Sequence, residues 1–185
     1  ERSNTMSNLL VQNIKYTNGT TAQTIDSTGR ILTPARPSFR AYNNAAGAWT
    51  EVTHNQHQIV AYNAEKYDIG SNYDTSTYRF TCPVNGLYFF SARVYMHENG
   101  NTRRLTIATG TTNPATDEST FLSQVYHASD GDDADHSGTL IVNACAELTA
   151  STQVGVYVHH GADTANSYYS ENNTLYSHFE GHLIG

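Results

Sequence analysis

The chain has 185 residues, 38% hydrophobic and 15% charged, with 17 acidic against 10 basic side chains, which describes one folded domain or one domain plus an appendage and disfavours disorder. All ten Lys and Arg lie between Arg2 and Arg104, and ten carboxylates follow from Asp117 to Glu180 with no basic residue, the opposite of what a phosphate backbone requires. No run approaches the roughly 18 apolar residues of a membrane span, so neither a nucleic-acid partner nor membrane insertion is expected.

Thirteen Tyr and many Thr favour strands, while Asn, Ser and Gly favour the turns between them, so the composition leans all-β. The first residues, Glu1 to Leu10, lack a basic stretch followed by an apolar one, and no secretory signal is expected. Met6 reads as a start, with residues 1–5 additional to the natural product. Next come the short apolar pieces Leu9-Leu10-Val11 and Ile31-Leu32, separated by the turn signals Asn18-Gly19 and Asp26-Ser-Thr-Gly29. Such pieces cannot bury a core alone. Residues 6–36 therefore read as an extended stem that is ordered by packing on sister chains or on a larger assembly, with Pro34 to Pro37 as its boundary.

Residues 37–185 read as a head of short strands: 38–43, 58–62, 78–82, 87–97, 103–109, 121–127, 139–148, 153–160 and 175–184. Turn-rich stretches separate them, and no segment keeps a helical period over twelve residues, which predicts a sandwich or barrel. In Leu87 to Met96, the alternate residues Tyr88, Phe90, Ala92, Val94 and Met96 form a core face. The opposite face, with Leu87, Phe89, Ser91, Arg93 and Tyr95, is too aromatic for simple exposure; Tyr157 alternates with valines in the same way. Phe89, Tyr95 and Tyr157 are therefore expected at a subunit interface. Cys82 and Cys145 sit in no CxxC pair and are expected to be buried small hydrophobes.

Tyr62-Asn63, Tyr67-Asp68 and the run Tyr78-Arg-Phe80-Thr-Cys-Pro83-Val-Asn-Gly86-Leu-Tyr88-Phe-Phe90 resemble the core signature of the complement C1q-like globular head. Phe179-Glu-Gly181-His-Leu183 is similar to that family's closing strand, and Arg36-Pro-Ser-Phe39-Arg-Ala41 to its opening one. The signature positions are thus Asn63, Phe80, Pro83, Gly86, Tyr88, Phe90, Phe179 and Gly181. The resemblance implies a ten-stranded jelly roll of the tumour-necrosis-factor type, assembled as a homotrimer, that recognises ligands and does no catalysis. His182 stands where the family has an aromatic and Glu180 where it has a small residue, and no Gly-X-Y stalk precedes the head. These departures argue against a vertebrate complement role. Residues 8–31 resemble the short repeats of bacteriophage and other virion fibres. The two likenesses together imply a virion fibre or spike tip that docks on other virion proteins through its stem and binds a host-surface glycan or protein. A particle-decorating trimer without a receptor and a secreted lectin-like adhesin, which would be extracellular, are the alternatives.

No GxSxG, HExxH or P-loop occurs, and no enzyme activity or required cofactor is expected. Candidate sites are three. In Asp130-Gly-Asp-Asp-Ala-Asp135 the carboxylates of Asp130, Asp132, Asp133 and Asp135 repel one another unless a cation lies among them; calcium is the candidate, and a solvated acidic loop the alternative. An EF-hand is excluded, because a strand follows and Ala144 occupies the twelfth position. His178, Glu180 and His182 share one strand face, where three copies around an axis can hold a transition metal or serve as hydrogen-bonded interface groups. The stretch 161–173 offers Asp163, Asn166, Tyr168 and Tyr169 for stacking on sugar rings and bonding their hydroxyls, or is a plain connection. Trp49 is expected to pack its loop onto the head rather than to bind sugar.

Added calcium is expected to raise the melting temperature, and Asp132→Asn with Asp133→Asn to abolish the rise. Unchanged melting would leave a solvated acidic loop.

Overall fold

The computed structural model describes residues 11–45, 47–97, 102–112, 118–127, 138–161, 166–170 and 176–185, with the side chains of His97, Asn166, Ser167, Tyr169 and Ser170 outside that description. The chain divides into two compact units, Glu1–Arg36 and Pro37–Gly185. In the first, β1 (Asn13–Lys15), β2 (Thr21–Ile25) and β3 (Ile31–Leu32) form an antiparallel three-stranded sheet. Its turns are set chemically. Gly19 and Gly29 take positive φ of 91° and 82°, which a side chain would resist. The Asp26 carboxylate accepts hydrogen bonds from the Thr28 and Arg30 amides and pairs with Arg30 Nε at 2.7 Å. Those bonds, the Arg30 amide's first, hold its pKa at about 2. The sheet has little core of its own: Ile14, Tyr16, Ile31 and Leu32 are exposed.

The second unit contains β4 (Ser38–Tyr42), β5 (Ala48–Val52), β6 (Gln58–Ile59), β7 (Ala64–Ile69), β8 (Tyr73–Asp74), β9 (Arg79–Thr81) and β10 (Gly86–His97). They are followed by β11 (Arg103–Thr109), a 3-10 turn at Glu118–Thr120, β12 (Phe121–His127), β13 (Gly138–Leu148), β14 (Gln153–His160), β15 (Asn166–Ser170) and β16 (His178–Leu183). A seven-stranded sheet runs β5-β15-β10-β16-β4-β7, with β13 paired to the other side of β10. The facing six-stranded sheet runs β12-β11-β14-β9-β8, with β6 also paired to β14. This is an all-β sandwich of the jelly-roll kind. Thirteen strands among the described residues take the place of ten, because short edge pieces such as β6 and β8 are only two residues long. No helix among the described residues is long and apolar enough to cross a membrane.

Period-two alternation aims each sheet. Along β13, Leu140, Val142 and Ala144 are buried while Thr139, Ile141, Asn143, Cys145 and Glu147 are exposed. Cys82 is buried as expected, and burial pushes its thiol up to about 11. Cys145 is exposed instead, because its place on β13 falls on the outward row.

The two sheets meet through an aromatic stack. Phe39 of β4 lies 4.7 Å from Phe80 of β9 and 5.1 Å from Tyr73 of β8 by ring centroids, and Phe179 of β16 stands edge-on to it at 4.9 Å. Phe90 and Tyr88 of β10 extend the stack against Phe80 at 5.8 and 5.9 Å. The buried phenols find acceptors: Tyr73 Oη donates to the Tyr62 carbonyl at 2.8 Å and Tyr62 Oη to the Arg93 carbonyl at 3.1 Å. Burial pushes both phenols above their ordinary range, so they stay protonated donors.

Gly181 makes room for this stack. A Cβ there would sit 2.5 Å from Phe90 Cδ1 and 3.0 Å from Phe39 Cε1, and rings packed on several sides cannot swing away. Gly181→Ala is expected to destabilise the head by about 1–3 kcal/mol, read as a melting temperature lower by several degrees. Gly185→Ala, where a Cβ meets open space, should leave melting unchanged.

Candidate functional site

Inward aromatics fix what faces outward. On the outer face of the seven-stranded sheet, register places Cys145, Phe89, His182, Ser38 and Ile69 in one row across β13, β10, β16, β4 and β7. The next row is Asn143, Ser91, Glu180, Arg40 and Tyr67, and the one after it Ile141, Arg93, His178 and Tyr42. Beyond these, Tyr95 touches Trp49 of β5 at 5.9 Å and Tyr176 at 5.8 Å. Leu87, Ile69, Tyr67, Trp49, Tyr176 and Ile141 are between 38% and 52% exposed, a large apolar share for a solvent-facing sheet.

A charged band crosses the middle of this face. Arg40 Nη1 bonds Glu180 Oε2 at 2.9 Å, both side chains about a third exposed. Glu180 is therefore committed to a cation of its own chain. Burial, and after it the Glu180 charge, raises the Tyr67 phenol above its usual range. Arg40 Nε and Arg93 Nε are buried and find no acceptor among the described residues.

The structure thus brings Phe89, Tyr95, His178, Glu180 and His182 onto one surface. Phe89 and His182 rings lie 5.5 Å apart. Within one chain they do not form a metal cage: no group of three His, Cys, Asp or Glu among the described residues could hold an ion. Arg40 and Arg93 belong to the same surface, and only the alternation of Arg93 with Phe89 and Tyr95 signalled either in the sequence.

Tyr157 does not join this face. It is fully buried in the other sheet, where its Oη accepts from Arg79 Nη2 at 3.1 Å and donates to the Thr112 carbonyl at 3.3 Å. Arg79 in turn donates to the Gly110 and Thr77 carbonyls, so neighbouring loops of the same chain cover the ring that was expected at an interface. Tyr168 is also displaced from its expected role. The stretch read as a recognition loop contains strand β15, paired to β5 on one side and to β10 on the other. Tyr168 is 1% exposed, its Oη accepts from the Ala61 amide at 3.2 Å, and burial raises its phenol. A ring in that position cannot stack on a sugar. Asp163 and the four acidic residues Asp130, Asp132, Asp133 and Asp135 lie outside the described residues, as do the side chains of Asn166 and Tyr169.

The signature positions have separate physical tasks. Asn63 Oδ1 accepts from the Asn44 amide at 2.7 Å, Pro83 is exposed ahead of β10, and Phe80, Tyr88, Phe90 and Phe179 fill the stack. At Gly86 a Cβ would meet Leu183 Cδ1 at 2.6 Å and the Gly185 carbonyl at 2.9 Å, so the residue must be small where the chain's end crosses β10.

The C1q domain model matches residues 45–184. Among solved structures, the chain is similar to the globular domain of zebrafish complement 1qA protein, with a TM-score of 0.54 and 19% identity over 81% of this chain and 98% of that one. It is similar also to Eiger TNF from S. frugiperda, with a TM-score of 0.59 and 12% identity over 82% and 94%. At these identities the likeness speaks for the fold. No curated protein sequence matches this one.

Tyr168→Ala is expected to destabilise the head by about 3–5 kcal/mol, as truncation of a buried aromatic does, while Tyr168→Phe should cost about 1 kcal/mol for the lost acceptor. Thermal or denaturant unfolding of the two variants measures both.

Proposed function

This chain belongs to the C1q domain family, and we propose that residues 37–185 form a homotrimeric recognition head whose subunits pack through the outer face of the seven-stranded sheet. The observation that carries this reading is the set of exposed apolar side chains on that face, Leu87, Ile141, Tyr67, Ile69 and Trp49. A free monomer would leave these apolar rows exposed to water. A second copy supplies apolar cover, and trimers are the usual assembly of C1q and tumour-necrosis-factor domains.

The head acts by binding. The finer reading is that of a virion fibre or spike tip, docked through residues 6–36 on other virion proteins and meeting a host-surface glycan or protein. Two features support it: residues 8–31 resemble fibre repeats, and residues 1–36 fold as a unit of their own, a small sheet with apolar side chains exposed. Asp163, Asn166 and Tyr169 remain the candidate receptor contacts, whereas Tyr168 supports them only through the core. Calcium at Asp130, Asp132, Asp133 and Asp135 is part of the same proposal.

Native mass measurement should give three times 20.4 kDa, about 61 kDa. Phe89→Asp should shift the species toward the monomer while the far-ultraviolet spectrum stays that of a β protein. A monomeric natural chain at micromolar concentration would sink the proposal, and host-cell binding by the intact trimer is what separates a receptor-binding tip from a decorating trimer.

A further inference from the structure

Three buried imidazoles, His57, His159 and His160, lie where the turn between β5 and β6 rests against the end of β14. Asn55, at a positive φ of 55°, donates its amide to the His160 carbonyl at 2.9 Å, and β6 continues along the same edge with Ile59 opposite Tyr157. The Gln58 side chain ties the turn together, accepting from the Thr53 amide and donating to the Glu51 carbonyl. His159 and His160 are neighbours on β14 and point to opposite faces of the sheet, so one grips the turn from outside and the other from the core side.

On the outer side, the rings of His57 and His159 lie 4.8 Å apart, and His57 also packs edge-on against Phe121 at 5.2 Å. Both are less than a tenth exposed, and the Nδ1 of each is buried with no hydrogen-bond partner among the described residues. On the core side, His160 is fully buried with Nε2 2.7 Å from the Val52 carbonyl; the ring of His54, exposed on the turn, lies 5.9 Å from it. A carbonyl only accepts, so Nε2 carries the hydrogen and Nδ1 keeps a lone pair. Protonating that Nδ1 would create a buried N–H with no acceptor.

We propose that His57, His159 and His160 form an acid-sensitive latch, which holds the 53–57 turn and the end of β5 on β14 when neutral and releases them when protonated. The surroundings favour release. Arg104 stands opposite His159 on β11 and lies over the Tyr126 ring of β12 at 5.3 Å, adding positive charge beside the pair. Arg103 stands opposite His160, donates to the Met96 carbonyl and lies 3.3 Å from His127 Nδ1. Among the described residues, Glu118 of the 3-10 turn is the carboxylate that opposes these charges at His57.

Burial comes first in lowering all three buried imidazoles; at His159, now near pKa 4, the charges of His57 and Arg104 follow, while at His160 the Val52 bond pulls the other way. A released histidine titrates near 6.5, at about its ordinary value. Between roughly pH 6.5 and 4 the released state therefore takes up more protons than the latched one, and the latch weakens as pH falls through that window. Above it both states are neutral and pH has no effect.

Hydrogen exchange on the full chain tests this, with rates at pH 7.5 and 5.0 corrected for intrinsic pH dependence. Protection of the Asn55 amide is expected to fall about tenfold or more relative to Phe90 in β10, tenfold being one pKa unit for one group. His57→Gln removes one charge of the outer pair and should reduce that loss. Magnetic-resonance titration of the natural chain adds a reading that needs no variant, with His159 expected well below 6.5. A His159 titration at or above 6.5, equal changes at Asn55 and Phe90, or an undiminished acid loss in a folded His57→Gln would each overturn the proposal.

Discussion

Two β-sheets can share one core only if side chains from both fill the gap between them, and here the stack around Phe39 does so. Phe39, Phe90 and Phe179 come from the seven-stranded sheet, Phe80 and Tyr73 from the other, and their rings lie about 5 to 6 Å apart. The geometry leaves no volume to spare. Gly181 is the consequence: a strand passing directly over two rings must lack a side chain at the crossing.

Once the stack fixes which side chains point inward, period two decides the rest. Phe90 and Phe179 inward puts Phe89, His178, Glu180 and His182 outward, and the pairing of β10 with β13 and β16 lays them in rows. A slip of one residue would exchange the rows for the core. The outer face is therefore as strictly specified as the interior, although much of it has no packing partner in a single chain. Its apolar rows are exposed in the single chain, and the core's precision makes them the same surface in every copy.

The other sheet handles its outward residues differently. Loops of the same chain cover Tyr157 with Arg79, and His159 with His57, so polar side chains on that side are buried without a second subunit. That difference explains why one outward aromatic on a strand stays on the surface and another is buried. Burial comes first in lowering the pKa of His57 and His159 there, with the charge of Arg104 adding to it and Glu118 of the 3-10 turn opposing it at His57.

Alternation in single strands was enough to read the sandwich, the inward face of β10, the outward placing of Phe89 and Tyr95, and the signature positions that fill or clear the core. β10 and β13 alternate so strictly that each decides its own two faces. Tyr168 and Tyr157 are not legible in this way because exposure depends on what passes over a strand, whereas Cys145 follows the outward row of β13 rather than the burial usual for a free cysteine. Tyr168 lies in a polar, turn-rich sequence that looks like a loop until β5 and β10 offer it ladders on both sides. Tyr157 looks like an interface residue until Arg79 crosses it. The meeting of His57 with His159 joins residues a hundred positions apart, and the Arg40 to Glu180 pair still more distant ones. Local chemistry writes strand period, turn residues and the small residue at a crossing into the sequence, but contacts across strands of different sequence origin exist only once the sheets have closed.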